Sequence, residues 1–215
     1  MREHPAPSGA SVITSLPDVS ELELDLDGWR AWFVAAARAV IRFVPDDGVA
    51  IFFQSDVKRG GVWIDKAHLI HRAIDEENAA LAWHKIVCRK PVGTIARGRP
   101  SYSHMLCVAR AALRPPERPG PDVLPDAGAM SWSRAMGVEA CRVACSFLRD
   151  ETATTTVIDP FCGRGTVLAV ANALGLDAVG IDVSAKRCRA ARSLALDLAP
   201  ATLPAAARSG ERETR

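Results

Sequence analysis

The sequence predicts an α/β fold with a mixed, mostly parallel sheet, and three stretches predict it. Thr154 to Arg192 reads as strand, glycine turn, apolar helix, second strand, acid and basic helix, the order of a βαβ unit. Val49 to Gln54 (VAIFFQ) is a continuous apolar run, as a central strand covered on both faces should be. Ahead of that strand, Trp29, Trp32, Phe33, Ala36, Val40 and Phe43 recur at helical spacing, which makes Trp29 to Val44 an amphipathic helix.

Taken in order, residues 1–10 read as loose. Ser11 to Thr14 (SVIT) reads as a short buried strand, ended by Ser15-Leu16-Pro17-Asp18. An acidic segment, Glu21 to Asp27, leads into the first helix, whose aromatics are expected in the core and not around a cofactor. Pro45 to Gly48 is a turn, and Ser55 to Gly61 a polar loop. Asp65 to Leu81 is read as a helix carrying His68 and His71; without a third ligand this pair is expected on a packed or exposed helix face. Ala82 to Cys88 and Tyr102 to Ala109 read as strands, joined by the basic loop Arg89 to Pro100. Five prolines within 114–128 argue against regular structure, so that stretch reads as a linker. Ser131 to Arg149 is read as a helix. From about Leu198 the chain is rich in Ala, Pro and Arg, and 198–215 is expected to be disordered, like 1–10.

A chain of 215 residues suits a single domain, 1–215, with a sizeable core. No apolar run reaches transmembrane length, and the start, MREHPAPSGAS, lacks the apolar centre of a signal peptide. The six cysteines form no C-x-x-C pair, so the expectations are no metal site and a reducing, cytoplasmic setting. Cys141 and Cys145, one helical turn apart, read as helix packing. A net charge of only +2 means that any case for a polyanionic partner must rest on local charge.

The chemistry concentrates in Asp159-Pro160-Phe161-Cys162-Gly163-Arg164-Gly165-Thr166. Gly163 and Gly165 permit a tight turn with no Cβ between backbone and ligand. Without Gly-Lys-Ser/Thr the turn is not a P-loop, and Leu168 stands where a dinucleotide fingerprint has its third glycine. Asp182, at the end of the second strand, can accept both hydroxyls of a ribose, which suits an adenosyl cofactor. This octapeptide resembles the D-P-F-x-G-S-G-T motif of class I S-adenosylmethionine (SAM)-dependent methyltransferases, most closely those acting on adenine N6 or cytosine N4 of DNA, with Arg164 in place of serine. The resemblance implies a Rossmann-like SAM-methyltransferase fold with a C-terminal-side antiparallel hairpin, SAM as cofactor, and Asp159, Pro160, Phe161, Gly163, Gly165, Thr166 and Asp182 around it.

Because SVIT-SLPD precedes the cofactor motif, the chain resembles the circularly permuted, β-class arrangement of that family. Val49 to Gly61 is similar to its post-catalytic strand, Trp83-His84-Lys85 to its W-x-K strand, Tyr102 to Val108 to the strand that follows, and the helix from Trp132 to the one near the methionine of SAM. Only about ten residues precede SVIT, so the strand that borders the SAM adenine in that family is expected to be absent or cut off.

In these enzymes a D/S/N-P-P-Y/F/W loop orients the target amine through its first residue and the following carbonyl, while the aromatic stacks on a flipped base. Here the loop is Ser15-Leu16-Pro17-Asp18, which implies Ser15, Pro17 and Asp18 as catalytic residues but lacks the stacking ring. Asp18 either accepts a proton or hydrogen bond from the substrate or merely caps the next segment. A Leu-Pro pair here is also similar to the N-L-P loop of some tRNA guanine methyltransferases.

Local charge adds to this picture. Lys85, Arg89, Lys90, Arg97, Arg99, Arg110, Arg114 and Arg118 face one acid, Glu117, and Lys58 and Arg59 lie in a nearby loop. Such a stretch is either a solvated face or a phosphate contact. Lys58, Arg59, Trp83, Lys85, Arg89 and Lys90 are the candidate substrate or nucleic-acid residues. The expected function is methyl transfer to a nucleobase nitrogen in DNA or RNA, by a protein free of the membrane and able to pair with a second copy or a partner subunit. The alternatives are a non-catalytic SAM-fold protein binding nucleic acid or a partner methyltransferase, and an enzyme acting on a small molecule.

Overall fold

The computed structural model describes residues 6–96, 99–111, 113, 116–117, 119–132 and 135–198. Of the start expected to be loose over 1–10, residues 1–5 lie outside the described residues, whereas Ala6 is buried with its N–H on the Phe43 carbonyl and Ala10 opens the first strand. Arg97, Arg114 and Arg118 of the basic stretch, and the residues past 198, also lie outside the described ones.

The strands are β1 (Ala10–Thr14), β2 (Val49–Gln54), β3 (Val57–Arg59), β4 (Val62–Ile64), β5 (Ala80–Cys88), β6 (Tyr102–Ala109), β7 (Val123–Leu124), β8 (Thr156–Asp159) and β9 (Asp177–Gly180). The helices are α1 (Leu26–Phe43), α2 (Lys66–Glu76), α3 (Val138–Glu151), α4 (Thr166–Ala173) and α5 (Ala185–Ser193). Seven strands form one sheet in the order β7-β5-β6-β2-β1-β8-β9. β2, β1, β8 and β9 run parallel, and β6 is antiparallel to both β2 and β5.

β2 is buried along its whole length because helices cover both faces. Phe52, with Leu106 of β6, packs against Trp29 and Phe33 of α1 and Ile70 of α2. On the other face Ile51 and Phe53, with Met105, pack against Leu148 of α3 and Val170 of α4. Each such side chain contributes about 1.5–3 kcal/mol of burial. Trp29 and Phe33 are core, as their spacing predicts, whereas Trp32 and Phe43 are half-buried at its margin and Trp32 reaches Phe161. β9 is the outer strand among the described residues, mostly exposed, with no strand beyond it.

Four sequence expectations need correction. The loop read at 55–61 contains half of a hairpin, β3 paired with β4. Its turn is Gly60-Gly61, both at positive φ (57° and 78°), which is the two-residue signal for such a hairpin. The helix read from Asp65 to Leu81 stops at Glu76, where Asn78 turns left-handed (φ 50°) and releases the chain into β5. The linker read at 114–128 contributes β7, which pairs with Ile86 and Val87 of β5. The helix read from Ser131 starts only at Val138. There the carbonyl of Ala127 accepts from the N–H groups of Glu139 and Ala140, which caps the helix with main chain. A Cβ at Gly137 (φ 94°) would lie 2.3 Å from that same carbonyl oxygen, so no longer helix fits.

Candidate active site

β1 and β8 are neighbours, with Val12 opposite Ile158. β1 leads to α1 on one face of the sheet and β8 to α4 on the other, so the switch point falls between their carboxyl ends. A crevice opens at such a point in open α/β sheets. One hydrogen bond ties its two sides together: Thr14 Oγ1 donates to Asp159 Oδ1 at 2.8 Å. The Ser15 loop begins one residue after Thr14, and the glycine turn one residue after Asp159.

On the glycine side, Asp159 is buried, and Phe161 N also donates to its Oδ1 (3.1 Å). Burial pushes its carboxyl up to about 7, against the lowering effect of the Thr14 and Phe161 bonds and with a further rise from Asp182. Gly163 and Gly165 adopt φ of 55° and 82°, which any Cβ would strain. At Gly165 a Cβ would also lie 2.7 Å from the Ala191 methyl of α5. Gly163 N donates to Asp182 Oδ2 (3.1 Å) and Ser184 N to Asp182 Oδ1 (2.7 Å), while Arg187 stands 3.5 Å from Oδ2. Thr166 Oγ1 shares a 2.5 Å hydrogen bond with Ser131 Oγ, and Phe161 meets Trp32 of α1 edge-on. Pro160 is half-buried.

The Trp132 ring lies across the turn, close to Gly163, and the guanidinium groups of Arg164 and Arg187 sit 5.7 and 5.8 Å from its centroid. Two carboxylates around a glycine turn suit a ligand carrying positive charge and hydroxyls and repel a polyphosphate.

On the Ser15 side, a cavity of about 190 Å³ is walled by Ser15, Leu16 and Asp18, with Phe53, Gln54 and Arg89 opposite. Trp29 Nε1 donates to the Pro17 carbonyl (3.2 Å) and fixes the loop on α1. Asp18 caps the 3-10 turn Val19–Glu21: its carboxylate accepts from Ser20 N while Glu21 accepts from Asp18 N. Its Oδ2 also takes Lys66 Nζ at 3.1 Å, with Arg99 at 3.8 Å. Burial raises the Asp18 pKa, but Lys66, the Ser20 bond and Arg99 outweigh it and hold the carboxylate below its ordinary range. Burial in turn lowers the Lys66 pKa. Lys66 carries no sequence signal, since it follows an ordinary helix cap and only the folded α2 sets it against Asp18.

Gln54 Nε2 is buried in the cavity wall without a partner among the described residues. An unpaired buried amide costs about 1–3 kcal/mol. Gln54→Met, of similar shape, is therefore expected to raise the urea unfolding free energy by about 1 kcal/mol. A loss of stability in that titration would mean that the amide is bonded after all.

The other candidates are dispersed. Lys58 and Arg59 are exposed on β3, where Lys58 stacks on Trp63 (5.0 Å). Trp83 packs edge-on against Phe147 of α3, on the sheet face that buries Met105. Lys85 Nζ is held by the carbonyls of Gly120 and Pro121. Arg110 lies at the far end of β6 beside Asp46. Arg89 and Arg99 line the cavity and Lys90 is exposed beside Arg89, so the basic stretch does not form one patch.

A family model described as DNA methylase, of the N6/N4 type, matches residues 151–193. No curated protein matches the sequence. Among solved structures, a proposed DNA modification methylase of Thermus thermophilus is similar at 18% identity (TM-score 0.67, 87% of this chain and 86% of that one). A structure of that protein complexed with SAM gives a TM-score of 0.65 at the same identity, over 87% of this chain and 85% of that one. The cytosine-N4-specific PvuII DNA methyltransferase is similar at 15% identity (TM-score 0.66, 91% and 83% covered). The chain therefore has the Rossmann-like fold of the SAM-dependent methyltransferases, and its glycine turn lies in the segment that matches the N6/N4 DNA methylase family.

Proposed function

We propose that this protein transfers a methyl group from SAM to an amino nitrogen of a nucleobase in DNA. The Thr14–Asp159 hydrogen bond carries the reading, because it joins a SAM-type glycine turn to a Ser15 loop and its cavity at one switch point. The matching DNA methylase family and the two methyltransferase folds support the choice of DNA.

Asp159, Pro160, Phe161, Gly163, Gly165 and Thr166 would form the cofactor turn, with Asp182 holding it shut and facing the ribose. When bound there, SAM supplies an electrophilic methyl group on a sulfonium. Ser15 and the Leu16 carbonyl would accept from the target amine and aim its lone pair, a positioning role. Pro17 would set the loop through its bond to Trp29, and Asp18 would act through Lys66 and the cap, not as a base. Arg89 and Arg99 would meet phosphates at the cavity mouth, and the exposed Lys58, Arg59 and Lys90 would contact the backbone away from it. Trp83 and Lys85 would support the sheet behind it.

A second reading is favoured by Asp18, which stands where the family has a stacking aromatic and is consumed by a cap and an ion pair. A non-catalytic protein of this fold, binding nucleic acid or a partner methyltransferase, would need no stacking ring.

Tritium transfer from labelled SAM to total DNA and total RNA tests both. Label in DNA, reduced at least tenfold by Ser15→Ala with SAM affinity unchanged, supports the enzyme. SAM binding without transfer supports the second reading, and a folded protein that ignores millimolar SAM overturns the enzyme and leaves the partner-binding form of the second reading.

A further inference from the structure

Behind the cavity, a polar cluster runs between the sheet and α2 that the proposed reaction does not use. Asp56, in the connection from β2 to β3, is buried. Its Oδ1 accepts from Lys66 N (2.8 Å), and its Oδ2 lies 3.1 Å from both Trp63 Nε1 and His104 Nε2. His104 Nδ1 is 3.0 Å from His84 Nε2, and the Tyr102 ring packs edge-on against His104. Asp65, the cap of α2, completes the group: the ligand atoms of Asp56, Asp65 and His104 all lie within 4.8 Å of one another. Among the described residues no lysine or arginine pairs with Asp56 or Asp65; His104 is the ion-pair partner of the buried Asp56, and Asp65 is exposed beside them.

We propose that Asp56, Asp65 and His104 bind a divalent cation of the zinc class, with His84 as the outer partner that orients His104. The donor set fits: one imidazole and two carboxylates suit zinc, manganese or cobalt. Around a tetrahedral zinc, ligand atoms stand roughly 3.3–3.6 Å apart, so this cluster needs only side-chain adjustment. Metal-binding histidines usually have their second nitrogen held by a neighbour, which is what His84 does.

The protons balance without a further reagent. In the metal-free chain, His104 Nε2–H donates to Asp56 and His84 Nε2–H donates to His104 Nδ1. Metal takes the Nε2 lone pair; His104 then carries its proton on Nδ1 and donates to His84, which takes its own on Nδ1. The cation would tie β6 and the end of β2 to the start of α2, one residue from the Lys66 that holds Asp18.

Calorimetric titration of chelator-treated full-length protein with zinc chloride tests the site, with cobalt absorbance to exclude binding at cysteine. We expect one zinc per chain, a cobalt spectrum without a thiolate charge-transfer band, and at least tenfold weaker binding in Asp65→Asn. Asparagine caps a helix as well as aspartate, so Asp65→Asn should keep the metal-free melting temperature. His104→Gln should abolish binding. No binding at millimolar metal, or binding that Asp65→Asn leaves unchanged, overturns the proposal. Methyl transfer plays no part in these readouts, so the outcome is independent of the proposed reaction.

Discussion

Asp159→Asn is expected to stabilise the folded protein by on the order of 4 kcal/mol at pH 8 while weakening SAM binding roughly 10- to 100-fold. The carboxyl rises from an ordinary 3.8 to about 7 because it is buried. At about 1.36 kcal/mol per pH unit, holding it ionised costs that much. Between about pH 4 and 7 the folded state binds a proton that the unfolded state has lost, so this group's contribution falls as pH rises through that window and is constant above it. An asparagine keeps an oxygen for Thr14 Oγ1 and Phe161 N but carries no charge. Urea titrations from about pH 5 to 8 should therefore show a falling stability in the wild type and a flatter line in Asp159→Asn.

In the proposed function the same carboxylate borders the positively charged ligand. SAM bound beside it would pull the pKa down, so affinity should rise with pH from about 5.5 to 7 and then level. Equal SAM affinity in wild type and Asp159→Asn would remove Asp159 from the proposed site. A destabilised Asp159→Asn would show that the charge is already balanced in the free protein.

Asp182→Ala is expected to abolish measurable SAM binding and to cost a few kcal/mol of stability. Asp182 accepts from Gly163 N and Ser184 N, so it closes the glycine turn and starts α5 at once. The alanine variant leaves both N–H groups without an acceptor, at about 1–3 kcal/mol each where they are buried. Arg187 is partly exposed, so losing its partner adds little. Calorimetry with SAM is the measurement, alongside Asp182→Asn, which can still accept from one N–H. An Asp182→Ala affinity within threefold of the wild type would mean that the turn binds nothing that depends on Asp182.

Local chemistry made much of the fold legible. The apolar run of β2, the period of α1 and the Asp-Pro-Phe-x-Gly-x-Gly turn each dictate their own conformation. The β3–β4 hairpin was legible too, in the Gly60-Gly61 pair, but a short polar run masked it. The start of α3 was not: helical spacing continues back to Ser131, and what stops the helix is the Ala127 carbonyl, brought there by β7 pairing with β5.

The site divides in the same way. The glycine turn, its two acids and the Ser15 loop are written in the chain itself, because each is a few consecutive residues whose geometry their own backbone sets. Folding alone settles that Thr14 meets Asp159, that Lys66 occupies Asp18, that Trp132 covers Gly163 and that Arg110 leaves the basic stretch. These pairs are joined by strand order and helix placement across tens of residues, and no local spacing encodes which side chains a sheet sets side by side.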